Sequence, residues 1–128
     1  MPKVLIIEDE KMMNDLLKDT FEKNGFEAVS ALTGKEGLQS AKITSPDAIL
    51  LDIRLPDTSG FAIIRQLKKD PGTKEIPVVF MTNYKDETEI LDREELKLVE
   101  KVIIKYESNP NQVVKAVEEM LSSMKQGE

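Results

Sequence analysis

Five polar side chains stand where apolar runs of this sequence stop. Glu8 and Asp9 follow "VLII", Asp52 follows "AILL", Thr82 ends "IPVVFMT" and Lys105 ends "KVIIK". Carboxylates gathered in one place repel one another unless a cation joins them. The chain has no cysteine and no histidine, so any such cation must take oxygen ligands and is a hard one. Magnesium fits best, held by a few carboxylates with water completing its octahedron. A lysine nearby adds positive charge and a threonine adds a hydroxyl donor. Together these are the components of phosphoryl transfer: cations neutralise the phosphoryl oxygens and a carboxylate can act as nucleophile.

Each residue also has an ordinary explanation. A lone acid after a strand caps a helix, and an acidic pair suits a helix start. Threonine is a common strand residue, and lysine is usually solvated. Asp52 is harder to dismiss, because four apolar residues precede it and the loop "IRLPDTSG" follows. The conjunction at the ends of four apolar runs carries the signal.

The elements that must position these groups alternate. Strands are expected at "VLII" (4–7), "FEAVSA" (26–31), "AILLD" (48–52), "IPVVFMT" (76–82) and "KVIIK" (101–105). From about Glu10 to Lys23, Met13, Leu16, Leu17, Thr20 and Phe21 recur at helical spacing, and Asn24-Gly25 supplies a stop. Further helices are expected at 34–43 and at 59–69, where Phe61, Ile64 and Leu67 share a side before the turn "DPG". "KDETEILDREELK" is polar and weakly periodic, and reads as a fourth helix. A last helix starts near Asn109-Pro110 and carries Val113, Val117, Met120, Leu121 and Met124 at helical spacing.

Strand–helix alternation of this kind predicts an α/β fold, a doubly wound five-stranded parallel sheet with helices on both faces. Ligands of such sheets bind outside the carboxyl ends of the strands. If the first, third, fourth and fifth strands are neighbours, the five polar groups converge on one crevice. The expected domain covers 1–124, with 125–128 as a frayed tail and no output domain.

The composition supports one soluble domain: 128 residues, 40% apolar and 33% charged. No run is long enough to span a bilayer and no signal peptide is evident, so a cytoplasmic location is expected. The net charge of −6 argues against nucleic-acid binding by this chain alone. Without histidine the chain cannot form its own phosphohistidine.

The pieces "VLIIEDE", "AILLDIRLPDTSG", "LKKDPGTKEIPVVFMT" and "VIIK" together resemble the receiver domain of two-component response regulators, over nearly the whole chain. The resemblance implies the flavodoxin-like strand order 2-1-3-4-5. It implies a phosphoacceptor aspartate fed by a histidine kinase or a phosphotransfer domain, with magnesium as cofactor. By position, Asp52 is the implied phosphoacceptor, Asp9 the direct magnesium ligand and Glu8 the second acid, acting mostly through water. Asp52 itself and the main-chain carbonyl of Arg54 are implied as further metal ligands. Thr82 is implied to bond the phosphoryl oxygen, and Lys105 to pair with Asp52 or its phosphoryl group. Pro56 and Gly60 match the loop after the acceptor, where turn geometry accounts for both. Such a chain modifies itself and is not an enzyme acting on a separate substrate. It signals to a downstream protein, with phosphorylation-dependent homodimerisation as one route.

Four positions depart from the family pattern. Tyr106 replaces the usual proline after the lysine, and a trans bond or rearranged loop is expected, since a cis non-proline bond costs about 2.5–4 kcal/mol. Val102 stands where an aromatic switch residue is usual; Tyr84 and Tyr106 are the candidate substitutes, and surface or edge packing is the favoured reading of each. Asn83 follows the threonine, where a small residue is usual. Leu98-Val99 replaces the usual Gly-Ala. Arg54 and Tyr84, each two residues past a site residue, are expected to slow loss of the phosphoryl group. The alternative readings are a receiver-like interaction module that is never phosphorylated, and a haloacid-dehalogenase-type phosphohydrolase. The latter is disfavoured because Arg54 stands where its second acid would be.

Overall fold

The computed structural model describes residues 1–83 and 93–126. Its strands are β1 (Lys3–Ile7), β2 (Glu27–Ala31), β3 (Ala48–Asp52), β4 (Val78–Thr82) and β5 (Lys101–Ile104). Its α-helices are α1 (Lys11–Lys23), α2 (Gly34–Thr44), α3 (Gly60–Lys69) and α4 (Pro110–Gln126). The strands are parallel and form one sheet in the order β2-β1-β3-β4-β5.

The central strands β1, β3 and β4 are buried and apolar over most of their length because helices cover both faces. Val4, Ile6, Ala48, Leu50, Val79 and Met81 face one way and pack with Leu17 and Phe21 of α1 and Val113, Val114 and Val117 of α4. Leu5, Ile7, Ile49, Leu51, Val78 and Phe80 face the other way, onto Ala41 of α2 and Ile63, Ile64 and Leu67 of α3. The two-residue alternation of strand side chains thus divides one apolar sequence between two cores.

Local chemistry sets the helix ends. Thr33 Oγ1 accepts the Glu36 N–H at 3.1 Å and Ser59 Oγ accepts the Ala62 N–H at 3.2 Å, each as an N-cap. Asn109 and Gln112 cap α4 reciprocally, at 2.9 Å and 2.8 Å. Gly25, at φ 87°, turns the chain out of α1 in a conformation that favours glycine.

Four sequence expectations need correction. The buried stripe of α1 is Asn14, Leu17 and Phe21, while Leu16 is 49% exposed. The stretch read as a fourth helix lies mostly outside the described residues, and its described end, Glu94–Leu98, is a 3-10 helix. β5 stops at Ile104, and Lys105–Glu107 form a 3-10 turn. Helix α4 continues through Lys125 and Gln126, where a frayed tail was expected. Among the described residues, no helix is long and apolar enough to cross a membrane.

Candidate functional site

The carboxyl ends of β1, β3, β4 and β5 deliver the acids, the hydroxyl and the lysine to one cleft. It measures about 470 Å³ and is lined by Asp9, Glu10, Asp52, Arg54, Thr82 and Lys105, with Ile53 and Asn83. A larger depression of about 550 Å³ lies at the opposite end, where Pro2, Phe26 and Asp47 start their strands; it lacks the acid and lysine set.

Pairing of β1 with β3 sets Glu8 level with Asp52, and pairing of β3 with β4 sets Asp52 beside Met81, one residue before Thr82. Glu8, Asp52 and Thr82 are buried, at 0%, 6% and 1% exposure, whereas Asp9 is exposed. One carboxylate oxygen from each of Glu8, Asp9 and Asp52 lies within 4.8 Å of the others. Lys105 reaches in from beyond β5. Its Nζ donates to Asp52 Oδ2 at 2.8 Å and to Glu8 Oε1 at 2.5 Å. The Arg54 N–H donates to Asp52 Oδ1 at 3.2 Å, which fixes the acceptor carboxylate from the other side.

One ammonium between two buried carboxylates leaves a surplus of negative charge. Burial, and then the neighbouring Asp52, push the Glu8 carboxyl up to about 8. Burial alone would lower the Lys105 pKa, but Asp52 and Glu8 together raise it above the usual lysine value. Glu8 Oε2 is buried and accepts no hydrogen bond from the described residues. A buried carboxylate oxygen inside a cluster of three carboxylates suits a hard cation as ligand.

The remaining sequence-selected positions lie around this set. Asn83 lines the cleft. Val102 is half-buried and packs against the core on the α2 and α3 side. Tyr106 lies in the 3-10 turn, and no described peptide bond is cis, so the trans expectation holds. Tyr84 lies outside the described residues.

Two contributors escaped sequence reasoning. Asp57, in the loop after the acceptor, accepts the Gly34 N–H at 2.9 Å and the Lys35 N–H at 3.0 Å, tying that loop to the start of α2. Asn14 bonds the main chain at Glu8 from inside α1, with Nδ2 at 2.9 Å from the carbonyl oxygen. The only trace of it in the sequence is its place three residues before Leu17, on the same helix stripe.

A five-stranded doubly wound sheet with an acid trio and a lysine at its carboxyl edge defines the class of receiver-like α/β domains. The family model of the response regulator receiver domain matches residues 4–118, and the chain belongs to that family. It is 39% identical over 85 residues to the polar-differentiation response regulator DivK of Brucella anthropi, covering 66% of this chain and 69% of that protein. It superposes on the signal receiver domain of a signal transduction histidine kinase from Syntrophus aciditrophicus with TM-score 0.85 and 27% identity, covering 100% and 96% of the chains. A CheY-like receiver domain protein from Methanospirillum hungatei shares the fold, with TM-score 0.83, 24% identity and 100% and 99% coverage.

Proposed function

We propose that this receiver accepts a phosphoryl group on Asp52 from the phosphohistidine of a partner histidine kinase or phosphotransfer domain, with magnesium as cofactor. The observation that carries the reading is the convergence of Asp52 Oδ2 and Lys105 Nζ, 2.8 Å apart, inside the acid trio.

The donor set fits magnesium: all-oxygen, anionic and partly open to solvent through Asp9. Asp9, Asp52, the Arg54 carbonyl and, through water, Glu8 would hold it. Once bound, the ion supplies charge neutralisation at the phosphoryl oxygens. The chain's own residues do the rest. Asp52 attacks phosphorus, forming the O–P bond as the N–P bond to the donor histidine breaks, and the donor imidazole takes up a proton. Lys105 offsets charge on the phosphoryl oxygens, and the Thr82 hydroxyl donates to one of them. Shifts of Thr82 and Lys105 toward the new group bias the adjoining loops and the β5 face, which a downstream protein or a second copy of the chain reads.

The test is intact mass after incubation with magnesium and a small-molecule phosphodonor, with Asp52→Asn alongside. A single added phosphoryl group, absent from Asp52→Asn, supports the reading. Magnesium binding without phosphoryl addition, from small donors and the partner kinase alike, would leave a phosphorylation-independent interaction module. No magnesium binding would overturn the metal site as well.

A further inference from the structure

Asn14 is wholly buried in the first turn of α1. A buried amide costs stability unless its hydrogen bonds are made. Here they are made. Nδ2 lies 2.9 Å from the Glu8 carbonyl oxygen, 3.1 Å from that of Ala31 and 3.4 Å from that of Ile6, and Oδ1 accepts the Ser30 hydroxyl at 2.6 Å. The reverse amide orientation would aim an oxygen at three carbonyls, so the network fixes which way it points.

These carbonyls stand where the β1–β2 ladder runs out, at the last bond from the Glu8 N–H to the Ala31 carbonyl. A cap on two strand ends would be structural and nothing more. One of the capped residues, however, is Glu8, whose carboxyl group meets Lys105 and shares the acid cluster with Asp52. The amide thus adds to the strand bond of the Glu8 N–H in holding the main chain that carries Glu8 and Asp9.

We propose that Asn14 is a positioning residue of the metal site. It pins the Glu8 main chain so that Glu8 and Asp9 are already set against Asp52 when the cation arrives. The proposal rests on the magnesium reading given above. Asn14 touches none of the reacting groups and acts through Glu8, as outer-shell groups do for metal ligands.

The test follows magnesium chloride binding to the full chain by calorimetry, beside thermal stability. Asn14→Leu keeps the branched shape and removes every hydrogen bond of the side chain. Ser30→Ala, at an exposed position, removes only the hydroxyl that orients the amide. Leu17→Ala lowers stability from the same helix stripe without touching Glu8. Asn14→Leu is expected to bind magnesium about tenfold more weakly. Ser30→Ala should move in the same direction by less, and Leu17→Ala should bind as the wild type does. Wild-type affinity in both Asn14→Leu and Ser30→Ala would overturn the proposal, as would a loss in Leu17→Ala that matches its loss of stability. Should Asn14→Leu fail to fold, Ser30→Ala decides alone. A wild-type chain that takes up no magnesium removes the metal site and this role together, an outcome distinct from the others because the unmutated protein itself fails.

Discussion

Lys105 and Glu8 are 97 positions apart in the chain, and the ammonium of one lies 2.5 Å from the carboxylate of the other. The contact is buried: the side chains are 8% and 0% exposed. Lys105 bonds Asp52 as well, so one cation serves two acids and Glu8 holds its proton to about pH 8.

That arrangement predicts a pH dependence. In the unfolded chain Glu8 would titrate at its usual value of 4.5, against about 8 when folded. Between those values the folded state binds a proton that the unfolded state lacks, so stability falls as pH rises. The raised Lys105 pKa works elsewhere: its stabilisation is complete below the usual lysine range and is lost only as pH rises through the raised value. Metal-free protein should therefore lose thermal stability as pH rises from 4.5 to about 8, and Glu8→Gln should show a shallower slope. Magnesium favours the deprotonated acid, so it should bind more tightly as pH rises and release protons on binding. Melting temperatures of both proteins across this range, with and without magnesium, check the sign; equal slopes would sink the assignment to Glu8.

Gly60 is held against the acceptor strand. A Cβ there would lie 2.6 Å from the Asp52 carbonyl oxygen and 2.8 Å from Ile53 Cα. Both are main-chain atoms, and the Gly60 N–H already bonds the Ile53 carbonyl at 2.6 Å. Gly60→Ala should cost about 1–3 kcal/mol, the usual range for overpacking, and should displace the end of β3. Denaturant unfolding measures the first effect and magnesium affinity the second. A variant with wild-type stability would show that the loop yields freely.

Asp57 predicts an acid-sensitive strap. Hydrogen bonds from the Gly34 and Lys35 N–H groups hold its carboxyl below the usual aspartate value. A lowered pKa stabilises the fold above the unfolded value and is lost as pH falls through the folded one. The side chain is solvent-exposed, so screening keeps the effect small. Asp57→Ala should cost about 0.5–1 kcal/mol at neutral pH, the lower part of the range for helix caps. The difference from wild type should shrink as the pH falls through the acid range, and paired unfolding curves would show whether it does.

Arg54 lines the cleft two residues past the acceptor, where water must approach a phosphorylated Asp52. Arg54→Asn should shorten the phosphoaspartate lifetime, with phosphoryl incorporation retained. The decay of the phosphorylated mass after donor removal measures it; an unchanged decay would mean that Arg54 does not control water.

The sheet and most of the site were legible because strands covered on both faces read as unbroken apolar runs. The first polar residue after each run then marks its carboxyl end. Asp9, Asp52, Thr82 and Lys105 fall out of that rule. Asn14 does not, because a search for apolar periodicity skips a buried polar residue, and Leu16 was read as inward in its place. The Asp57 strap spans more than twenty positions and leaves no local pattern. Glu8 was expected to act mostly through water, yet it is the most buried of the acids, since its charge in the sequence says nothing of the lysine waiting across the sheet. The 3-10 form of Glu94–Leu98 was likewise unreadable. That segment is fastened from outside itself, by Arg93 over the Phe61 ring at 4.3 Å and by the ion pairs of Glu95 with Arg65 and Arg93.

The order in which the ribosome delivers the site follows from the strand order. Both acids of the first loop, the acceptor and the hydroxyl all emerge before the lysine, which comes only after β5. Until then Glu8 and Asp52 lack the ammonium that bridges them, and β4 has no β5 paired to it. A chain interrupted between Asp52 and Lys105 would carry the aspartate but lack the lysine that pairs with it. The ion pair that joins the ends of β1, β3 and β5 therefore closes only after the last strand has emerged.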